Sequence, residues 1–329
     1  MLRALCLVLG AALTAAGSDK FHITDPRAFV GLCDASAAVA LGEGRFLVAS
    51  DEDNILRLYD SAGPATPLKE FDMNGFLEVV GRSTEADLEG AAMVGDRVYW
   101  IGSHGRNVIG KERLNRDRLF ATDVSRNEAE VNLVPVGRPY KDLLWQLARQ
   151  SRFAEFNFAQ AEQLPPKATG ALDIEGLAAT PDGKLLIGFR NPIPKGKAVV
   201  IPLNNPDEVI FGKSAKFGAA LRLNLGGLGV RDMVAVPGGY IVVAGAYDSH
   251  GKPRLYRWDG KSQNPQELNV NHLARYNPEV IIYYPEQGTK RFQLLSDDGT
   301  RMVGSCPCKD IRNSAERQFR SFWIESGRD

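Results

Sequence analysis

The sequence predicts an all-β protein, and three observations support this fold class. Glycine is abundant, helical spacing of apolar residues is confined to a few stretches, and one strand–turn–strand pattern occurs five times. The repeating unit holds about four short strands in roughly 40–60 residues, which is typical of a β-propeller blade. We therefore expect a β-propeller with five blades, or with six if one blade lacks the pattern.

The repeated pattern starts with polar residues, passes through a short apolar strand, turns at glycine and ends in a polar segment. Its clearest copy runs over residues 172–191, with a turn at Asp182 and Gly183. Further strands are predicted after most of these hairpins, as at residues 55–60, 198–203 and 254–258. The other four copies of the hairpin lie at residues 34–54, 87–107, 229–248 and 277–299.

The chain ends are predicted to close the ring. Residues 20–24 and 319–325 both have the composition of strands, and pairing them would join the first and last blades. Cys33 lies close to the first of these strands, and Cys306 and Cys308 lie shortly before the second. One disulfide from Cys33 to Cys306 or Cys308 would reinforce the closure and leave the third thiol free.

Residues 1–17 are predicted to be a signal peptide. Arg3 supplies a positive start, a short apolar run follows, and small residues precede the expected cleavage point. The remainder, residues 18–329, is then one propeller domain that is secreted or periplasmic. No other stretch of this mature chain is long and apolar enough to predict a membrane span.

One insertion interrupts the repeats between the second and third hairpins. In residues 140–164 the apolar side chains recur at helical spacing, and neither glycine nor proline interrupts them. We expect one or two helices that emerge on the face carrying the polar ends of the hairpins. They could pack against the side of the propeller or act as a lid.

The charge balance excludes one class of partner. Lysine plus arginine equals aspartate plus glutamate, at 40 each, so the formal net charge is zero. Bulk electrostatic attraction to nucleic acid is therefore not expected, and the partners that we consider are a small anionic molecule or another protein.

The strand directions predict that the polar ends of all five hairpins meet at one face. In a blade the innermost strand runs along the channel and the second strand returns beside it, so the start of the first lies next to the end of the second. Carboxylates from several blades would suit Ca²⁺ or Mg²⁺, and arginines would suit an anionic ligand. The candidate metal ligands are Asp34, Glu89, Glu175 and Glu279. The candidate ligand-binding residues are Arg106, Asn107, Arg190, Asn191, Arg231 and Asp232.

A structural role explains the same residues equally well. Carboxylates at turns accept backbone N–H groups, and Glu and Arg side chains of neighbouring blades could pair and hold the ring together. His104 is the single histidine within a repeated hairpin and is the candidate catalytic residue. The sequence contains none of the common motifs for a nucleophile, a phosphate loop or a zinc protease.

The sequence resembles a known family over nearly the whole mature chain. The segments carrying the resemblance are Asp87-Leu88-Glu89-Gly90-Ala91, Gly102-Ser103-His104-Gly105-Arg106-Asn107, Asp173-Ile174-Glu175-Gly176-Leu177, Phe189-Arg190-Asn191-Pro192 and Gly229-Val230-Arg231-Asp232-Met233. They resemble a bacterial family of unknown function, domain of unknown function 3616. The Glu-Gly-Leu hairpin is also similar to the unit of phytase-like and gluconolactonase-like propellers. This second resemblance implies a divalent metal at the channel mouth and phosphate esters or lactones as substrates.

Two functions of different class follow from these observations. The first is a propeller without catalytic activity that binds a ligand or a protein partner at the channel mouth. The second is a metal-dependent hydrolase acting on an anionic small molecule, with glutamates as ligands and arginines holding the substrate. The sequence leaves open whether the protein is an enzyme, although the absence of a nucleophile motif favours the first function.

Overall fold

The computed structural model describes residues 20–81, 83–126 and 130–327, and these form a five-bladed β-propeller. The predicted signal peptide at residues 1–17 lies outside the described residues. Within them, no helix is long and apolar enough to cross a membrane.

The chain begins with two strands, β1 (Lys20–Ile23) and β2 (Arg27–Val30), and then builds the blades in order. Blade 1 contains β3 (Ala37–Gly42), β4 (Arg45–Ala49), β5 (Ile55–Asp60) and β6 (Lys69–Asp72). Blade 2 contains β7 (Leu88–Val94), β8 (Arg97–Gly102), β9 (Leu119–Arg126) and β10 (Val131–Tyr140). Blade 3 contains β11 (Asp173–Ala179), β12 (Leu185–Asn191), β13 (Ala198–Leu203) and β14 (Leu221–Leu223).

Blade 4 contains β15 (Gly229–Val236), β16 (Gly239–Gly245), β17 (Arg254–Trp258) and β18 (Gln266–Glu267), and β19 (Asn269–Val270) follows it. Blade 5 contains β20 (Pro278–Ile282), β21 (Arg291–Ser296) and β24 (Gln318–Ser326), with the small hairpin β22 (Met302–Val303) and β23 (Cys306–Pro307) before its last strand. All five predicted hairpins are therefore the inner hairpins of blades.

The helices are short. The α-helices are α1 (Asn74–Leu77), α2 (Leu143–Ala148), α3 (Phe158–Ala161) and α4 (Pro206–Ile210). The 3₁₀ turns are Leu114–Arg116, Ser151–Phe156, Pro194–Gly196, Leu273–Arg275, Pro285–Gln287, Cys308–Asp310 and Ser314–Glu316.

The blades pack against each other through layers of apolar side chains. Because successive residues of a strand point to opposite faces, each strand serves two interfaces. In β8, Val98 and Trp100 pack towards blade 1, whereas Tyr99 and Ile101 pack towards blade 3. In the described part of the chain, one buried apolar cluster lies between each pair of neighbouring blades, including blades 5 and 1.

The chain ends close the ring as predicted. β1 pairs antiparallel with β24, so that Phe21 lies opposite Ser326, and β2 pairs with the earlier part of the same strand. A disulfide joins Cys33 to Cys308. It confirms the predicted bond between the chain ends, with Cys308 as the partner instead of Cys306. Cys306 is the free thiol among the described cysteines.

The insertion at residues 140–164 is helical, as predicted. It contains α2, the 3₁₀ turn Ser151–Phe156 and α3, and its apolar side chains join the core between blades 2 and 3. Phe158 stacks on Phe189 of blade 3 with 5.1 Å between ring centroids. These contacts agree with the first of the two alternatives, in which the insertion packs against the side of the propeller. The segment that follows the insertion, at Pro166 and Lys167, lines the mouth of the channel.

Candidate functional site

β-Bulges place charged residues in the channel. In four blades the pairing of the two inner strands skips one residue of the first strand near its start, and the skipped residue is charged each time. In blade 3 the pairing also skips Arg190 on the second strand. A bulge leaves a residue out of the ladder and can redirect its side chain. Ser36 holds the matching place in blade 1. We call these residues the channel ring: Ser36, Glu89, Glu175, Arg231 and Glu279.

Glycines allow the inner strands to approach each other beside the channel ring. A Cβ atom on Gly90 would lie 2.9 Å from the carbonyl oxygen of Glu175, and one on Gly176 would lie 2.6 Å from Cγ1 of Val230. Any larger residue would push neighbouring blades apart here. The Glu-Gly pairs noted in the sequence therefore combine a side chain directed into the channel with a close backbone contact.

Four residues of the channel ring, Glu89, Glu175, Arg231 and Glu279, line a cavity of about 700 Å³, which we call the mouth. Ten carboxylates and seven basic side chains line it, so acidic groups are in excess. The carboxylates are Asp34, Asp51, Glu52, Asp87, Glu89, Asp173, Glu175, Glu279, Asp297 and Asp298. The basic side chains are Arg116, Lys167, Arg190, Arg231, Arg301, Lys309 and Arg320.

Two arginines that line the mouth, Arg231 and Arg190, neutralise part of this charge. Arg231 donates from Nε to Glu175 Oε2 at 3.3 Å and from Nη2 to Glu279, so it connects blades 3, 4 and 5. Arg190 donates to Glu175 from Nη1, and its Nε and Nη2 donate to the carbonyl oxygen of Ala246 at 3.1 and 3.0 Å. All four of these charged side chains are buried. The structural pairing anticipated for Glu and Arg of neighbouring blades is therefore present.

Glu89 is not neutralised in this way. Its Oε2 is buried and has no hydrogen-bond partner among the described residues. Burial, followed by the charges of Asp87, Glu175 and Glu279, raises the pKa of Glu89 well above its usual range. Without a cation, this carboxyl therefore keeps its proton to a higher pH than an exposed glutamate does.

Carboxylate oxygens from three blades converge at Glu89. One oxygen from each of Glu89, Glu175 and Glu279 lies within 4.8 Å of the other two, and Asp51, Asp87 and Glu89 form a second such group. Oxygen donors alone are the ligand set of Ca²⁺ and Mg²⁺, so the residues present fit a divalent cation. Three of the four predicted metal ligands are brought together here.

Asp34, the fourth predicted ligand, also lines the mouth, where it lies opposite Asp297 in an isolated β-bridge. Burial and the neighbouring carboxylate of Asp297 raise the pKa of Asp34 to about 10. Burial and the charges of Asp87, Glu52 and Asp297 raise the pKa of Asp51 to about 8. Burial, then Glu175, also raises the pKa of Asp173 well above its usual range. The mouth therefore retains protons that an exposed cluster would release.

Four of the predicted ligand-binding residues have structural contacts and do not line the mouth. Arg106 donates to the carbonyl oxygens of Glu162 and Gly110, at 2.7 and 3.2 Å. Asn107 caps its own loop, accepting from the backbone N–H of Lys111 at 2.8 Å. Of the six predicted residues, Arg190 and Arg231 are the two that line the mouth.

The other two residues of this group join separate parts of the fold. Asn191 donates from Nδ2 to the carbonyl oxygens of Pro166 and Ala168, at 3.0 and 2.8 Å, and so holds the end of the insertion. Asp232 accepts the backbone N–H of Ile281 at 2.9 Å, which ties blade 4 to blade 5.

His104 lies outside the mouth, in a smaller cavity beside blade 2. It adopts a left-handed backbone conformation with φ of 55°, and its ring is buried. Burial lowers the pKa of His104 to about 4, so the ring is neutral at physiological pH.

Several mouth residues come from outside the repeated hairpins, and the sequence pattern did not point to them. Arg116 follows a loop of blade 2 and donates to Asp87 Oδ2 at 2.7 Å. Arg301 and Lys309 belong to the segment between β21 and β24. Their position follows from the disulfide, because Cys308 directly precedes Lys309 and Cys33 directly precedes Asp34.

The fold and the site define a five-bladed β-propeller with an acidic cavity at one end of its channel. A family model described as a protein of unknown function (DUF3616) matches residues 34–138 and 121–290. The chain belongs to this family, as its motifs predicted. A search of the curated proteins found no match.

Solved structures with similar folds have low identity to this chain. Trypanosoma rangeli sialidase in complex with sialic acid is 12% identical with a TM-score of 0.37, covering 81% of this chain and 44% of its own. This chain thus spans less than half of the sialidase. A putative oxidoreductase (glucose dehydrogenase) from Thermus thermophilus is 13% identical with a TM-score of 0.43, covering 91% and 100%. A GH43 glycoside hydrolase is 14% identical with a TM-score of 0.41, covering 84% and 50%. Similarity at this level carries no information about activity.

Proposed function

We propose that the protein is a ligand-binding propeller that holds a divalent cation in its channel ring. The observation that carries this proposal is the convergence of Glu89, Glu175 and Glu279 from three blades, with Glu89 Oε2 buried and unpartnered among the described residues. A buried carboxylate without a partner is costly, and a bound cation removes that cost.

The charge balance of the channel ring supports a cation over other occupants. Arg231 donates hydrogen bonds to Glu175 and Glu279, and Arg190 donates one to Glu175. Neither arginine hydrogen-bonds to Glu89. The remaining charge is balanced either by a proton on Glu89 or by a metal ion. Cation binding therefore releases a proton, and the affinity for the cation rises with pH.

Calcium fits the site better than magnesium. Two of the three carboxylates that converge here, those of Glu175 and Glu279, are already held by arginines, so their positions are set by the ion pairs. Ca²⁺ tolerates irregular arrangements of about six to eight oxygens, whereas Mg²⁺ requires near-octahedral geometry. Water in the open mouth can supply the remaining ligands.

The upper wall of the mouth supports a small anion as the ligand. Arg301 has a buried Nη1 without a hydrogen-bond partner among the described residues, and Lys167 and Lys309 line the same cavity. A carboxylate or phosphate group could contact the cation below and these basic groups above. Arg190 and Arg231 would then orient the carboxylates of the channel ring instead of holding the anion directly.

One observation also favours the metal-dependent hydrolase. The group of Asp51, Asp87 and Glu89 shares Glu89 with the first group, so two cations could lie side by side with Glu89 between them. Paired cations can activate water and stabilise the leaving oxygen in phosphoester hydrolysis. In that case the same mouth would bind a phosphate ester and cleave it.

The disulfide supports an extracellular or periplasmic location. The Cys33–Cys308 bond joins the two ends of the propeller, and such bonds persist in oxidising compartments. A signal peptide at residues 1–17 would deliver the chain there.

The cation proposal can be tested by the thermal stability of EDTA-treated protein. A cation at 100 times its Kd stabilises the folded state by about 2.7 kcal/mol. For a chain of this length we expect the melting temperature to rise by roughly 5 °C with Ca²⁺, and less with Mg²⁺ or Mn²⁺. Glu89→Gln should abolish this rise, and because Glu89 Oε2 has no hydrogen-bond partner among the described residues, the variant should melt no lower than the EDTA-treated parent.

A matched control is Glu267→Gln, which removes an exposed carboxylate on the outer strand of blade 4 and should keep the full response. If no divalent cation raises the melting temperature of the parent, the cation proposal is wrong. If Ca²⁺ binds, inorganic phosphate should bind only in its presence and more weakly to Arg301→Gln. Release of nitrophenol from nitrophenyl phosphate would then distinguish the hydrolase from the binding protein.

A further inference from the structure

A second cavity lies beside blade 2, separate from the mouth, and we call it the His104 pocket. It has a volume of about 140 Å³ and lies between the loop that follows β8 and the helix α2. It shares no lining residue with the mouth. Nothing in the proposed cation site depends on it, and the cation proposal does not explain it.

The His104 pocket contains an unpaired acceptor. His104 is 3% exposed, and its Nδ1 lies 2.9 Å from the carbonyl oxygen of Gly102. Because a carbonyl only accepts, Nδ1 carries the proton and Nε2 presents a lone pair. This Nε2 is buried without a hydrogen-bond partner among the described residues, in a site where a buried acceptor is expected to have one.

The same pocket contains an unpaired donor. The Nε of Arg113 is buried and makes no hydrogen bond among the described residues. Glu85 Oε1 forms an ion pair with this nitrogen at 3.7 Å, which is beyond hydrogen-bond distance. The pocket therefore presents one acceptor and one donor that the described part of the chain leaves unused.

The other charged groups around the His104 pocket indicate a neutral occupant. Arg106 is held by the carbonyl oxygen of Glu162 at 2.7 Å, and Lys141 pairs with Glu78 at 2.6 Å. The side chains of Glu112 and Asp117 also line the pocket, so both signs of charge are present. An anion would face these carboxylates, and a cation would face Arg113, so neither is clearly favoured.

An aromatic surface completes the pocket. Trp145, on α2, lines it and is 55% exposed, which is unusual for the largest apolar side chain. The guanidinium carbon of Arg149 lies 3.8 Å from the Trp145 ring centroid, which is a cation–π contact. An exposed indole beside unpaired polar groups offers an apolar surface and directed hydrogen bonds together.

We propose that the His104 pocket binds one ring of a saccharide. A hydroxyl group both donates and accepts, so neighbouring hydroxyls can donate to His104 Nε2 and accept from Arg113 Nε. The apolar face of the sugar ring packs on Trp145, as an amphipathic ligand requires. The uncharged ring also avoids repulsion from the carboxylates and from Arg113.

The test is binding of saccharides to the whole mature protein in EDTA, which removes any contribution from the cation site. A panel of glucose, galactose, mannose, N-acetylglucosamine and their disaccharides is titrated by calorimetry, and tryptophan fluorescence is followed. We expect at least one member to bind and to change the fluorescence. Trp145→Ala should remove both the fluorescence change and at least 90% of the affinity.

His104→Asn is the second variant, because asparagine tolerates the left-handed conformation but lacks Nε2. It should weaken binding about tenfold, the size expected for one lost hydrogen bond to a buried group. Phe211→Ala is the matched control, since it removes another exposed aromatic side chain, 63% exposed and outside the pocket, and should leave binding unchanged. The proposal is overturned if no saccharide of the panel binds, or if binding survives both Trp145→Ala and His104→Asn.

Discussion

The two ends of the channel are built from the same five strands but have opposite character. At the mouth the inner strands present charged side chains around a cavity of about 700 Å³. At the other end the same strands present mainly small apolar side chains around a cavity of about 390 Å³, which we call the apolar end. Four of its blades contribute alanines, at Ala40, Ala92, Ala179 and Ala235, among others.

The difference shows what the β-bulges accomplish. Towards the apolar end the inner strands of blades 2 to 5 pair regularly, and their apolar side chains need no partners beyond packing. At the mouth the bulges introduce charged residues, and Arg231 of blade 4 neutralises Glu175 of blade 3 and Glu279 of blade 5, whereas Glu89 of blade 2 has no such partner among the described residues. The stability of the fold at the mouth therefore depends on pairs of specific charges. Any buried charged group that lacks a partner there lowers the stability.

The largest effect is expected for Glu175→Gln. Glu175 accepts from Arg190 and Arg231, and all three side chains are buried, so its loss leaves two buried guanidinium groups undercompensated. We expect the free energy of unfolding to fall by about 3–5 kcal/mol. Chemical denaturation followed by circular dichroism measures this change.

The control for this prediction is Glu267→Gln, which breaks an exposed pair with Arg254 at 3.0 Å. Exposed pairs contribute little, and the expected loss is below about 1 kcal/mol. If Glu175→Gln and Glu267→Gln lowered the free energy of unfolding equally, the buried ion pairs of Glu175 would contribute no more than an exposed pair does.

The next largest effect is expected for Met233→Ala, which removes a buried side chain that lines the apolar end. Met233 belongs to the cluster between blades 3 and 4, so truncation leaves a cavity in packed surroundings. The free energy of unfolding should fall by about 2–4 kcal/mol. Because no charge is involved, the loss should be the same at pH 6.5 and pH 8, and the response to Ca²⁺ should be unchanged. A pH-dependent loss would contradict the separation of the two ends.

These two variants also mark what the sequence could and could not predict. The inner hairpins were predictable because glycine turns and buried strands recur, and strand direction alone placed Glu89, Glu175 and Glu279 at one face. The partners of Arg190 and Arg231 were not predictable. They depend on the β-bulges, and a one-residue change of register reverses the side to which a side chain points.

The disulfide and the insertion show the same limit. From the sequence, either Cys306 or Cys308 could form the disulfide with Cys33. The turn that follows β23 places Cys308 against Cys33. The helical spacing predicted the insertion, but its packing between blades 2 and 3 depends on contacts such as Phe158 with Phe189, which lie far apart in sequence. For the same reason the His104 pocket, which needs Trp145 beside Arg113, was not foreseen.

A smaller effect is expected from pH. The pKa of Asp34 is raised to about 10 and those of Asp51 and Asp232 to about 8, mainly by burial. Each group keeps its proton in the folded state at pH values where the unfolded chain has already lost it. The contribution of each group to stability is therefore complete below about pH 4 and is lost as the pH rises through the pKa of the group in the folded state. In EDTA, the free energy of unfolding should fall between pH 6.5 and 8, by about 2 kcal/mol for a group such as Asp34 that keeps its proton throughout this range. His104 does not contribute in this range, because its lowered pKa of about 4 leaves it neutral in the folded state and the unfolded ring is largely neutral above pH 6.5.

Denaturation curves at a series of pH values measure this slope, and Asp51→Asn should reduce it because one of the titrating groups is gone. Saturating Ca²⁺ should flatten or reverse the slope, since cation binding displaces the proton of Glu89. A stability that rises with pH in EDTA would show that the carboxylates of the mouth are ionised in the folded state.

The smallest effect is expected for Ala235→Leu at the apolar end. Ala235 is half-buried and lines the cavity of about 390 Å³, so a larger apolar side chain has space to enter. Adding methylenes to a packed core costs about 1–3 kcal/mol, whereas filling an open apolar cavity commonly stabilises by about 0.5–1 kcal/mol. We expect a change in the free energy of unfolding within about 1 kcal/mol of zero, and an unchanged rise of the melting temperature with Ca²⁺. A loss above about 2 kcal/mol would mean that the inner strands at this end are as tightly packed as the blade interfaces. A lost Ca²⁺ response would mean that the two ends are coupled through the inner strands.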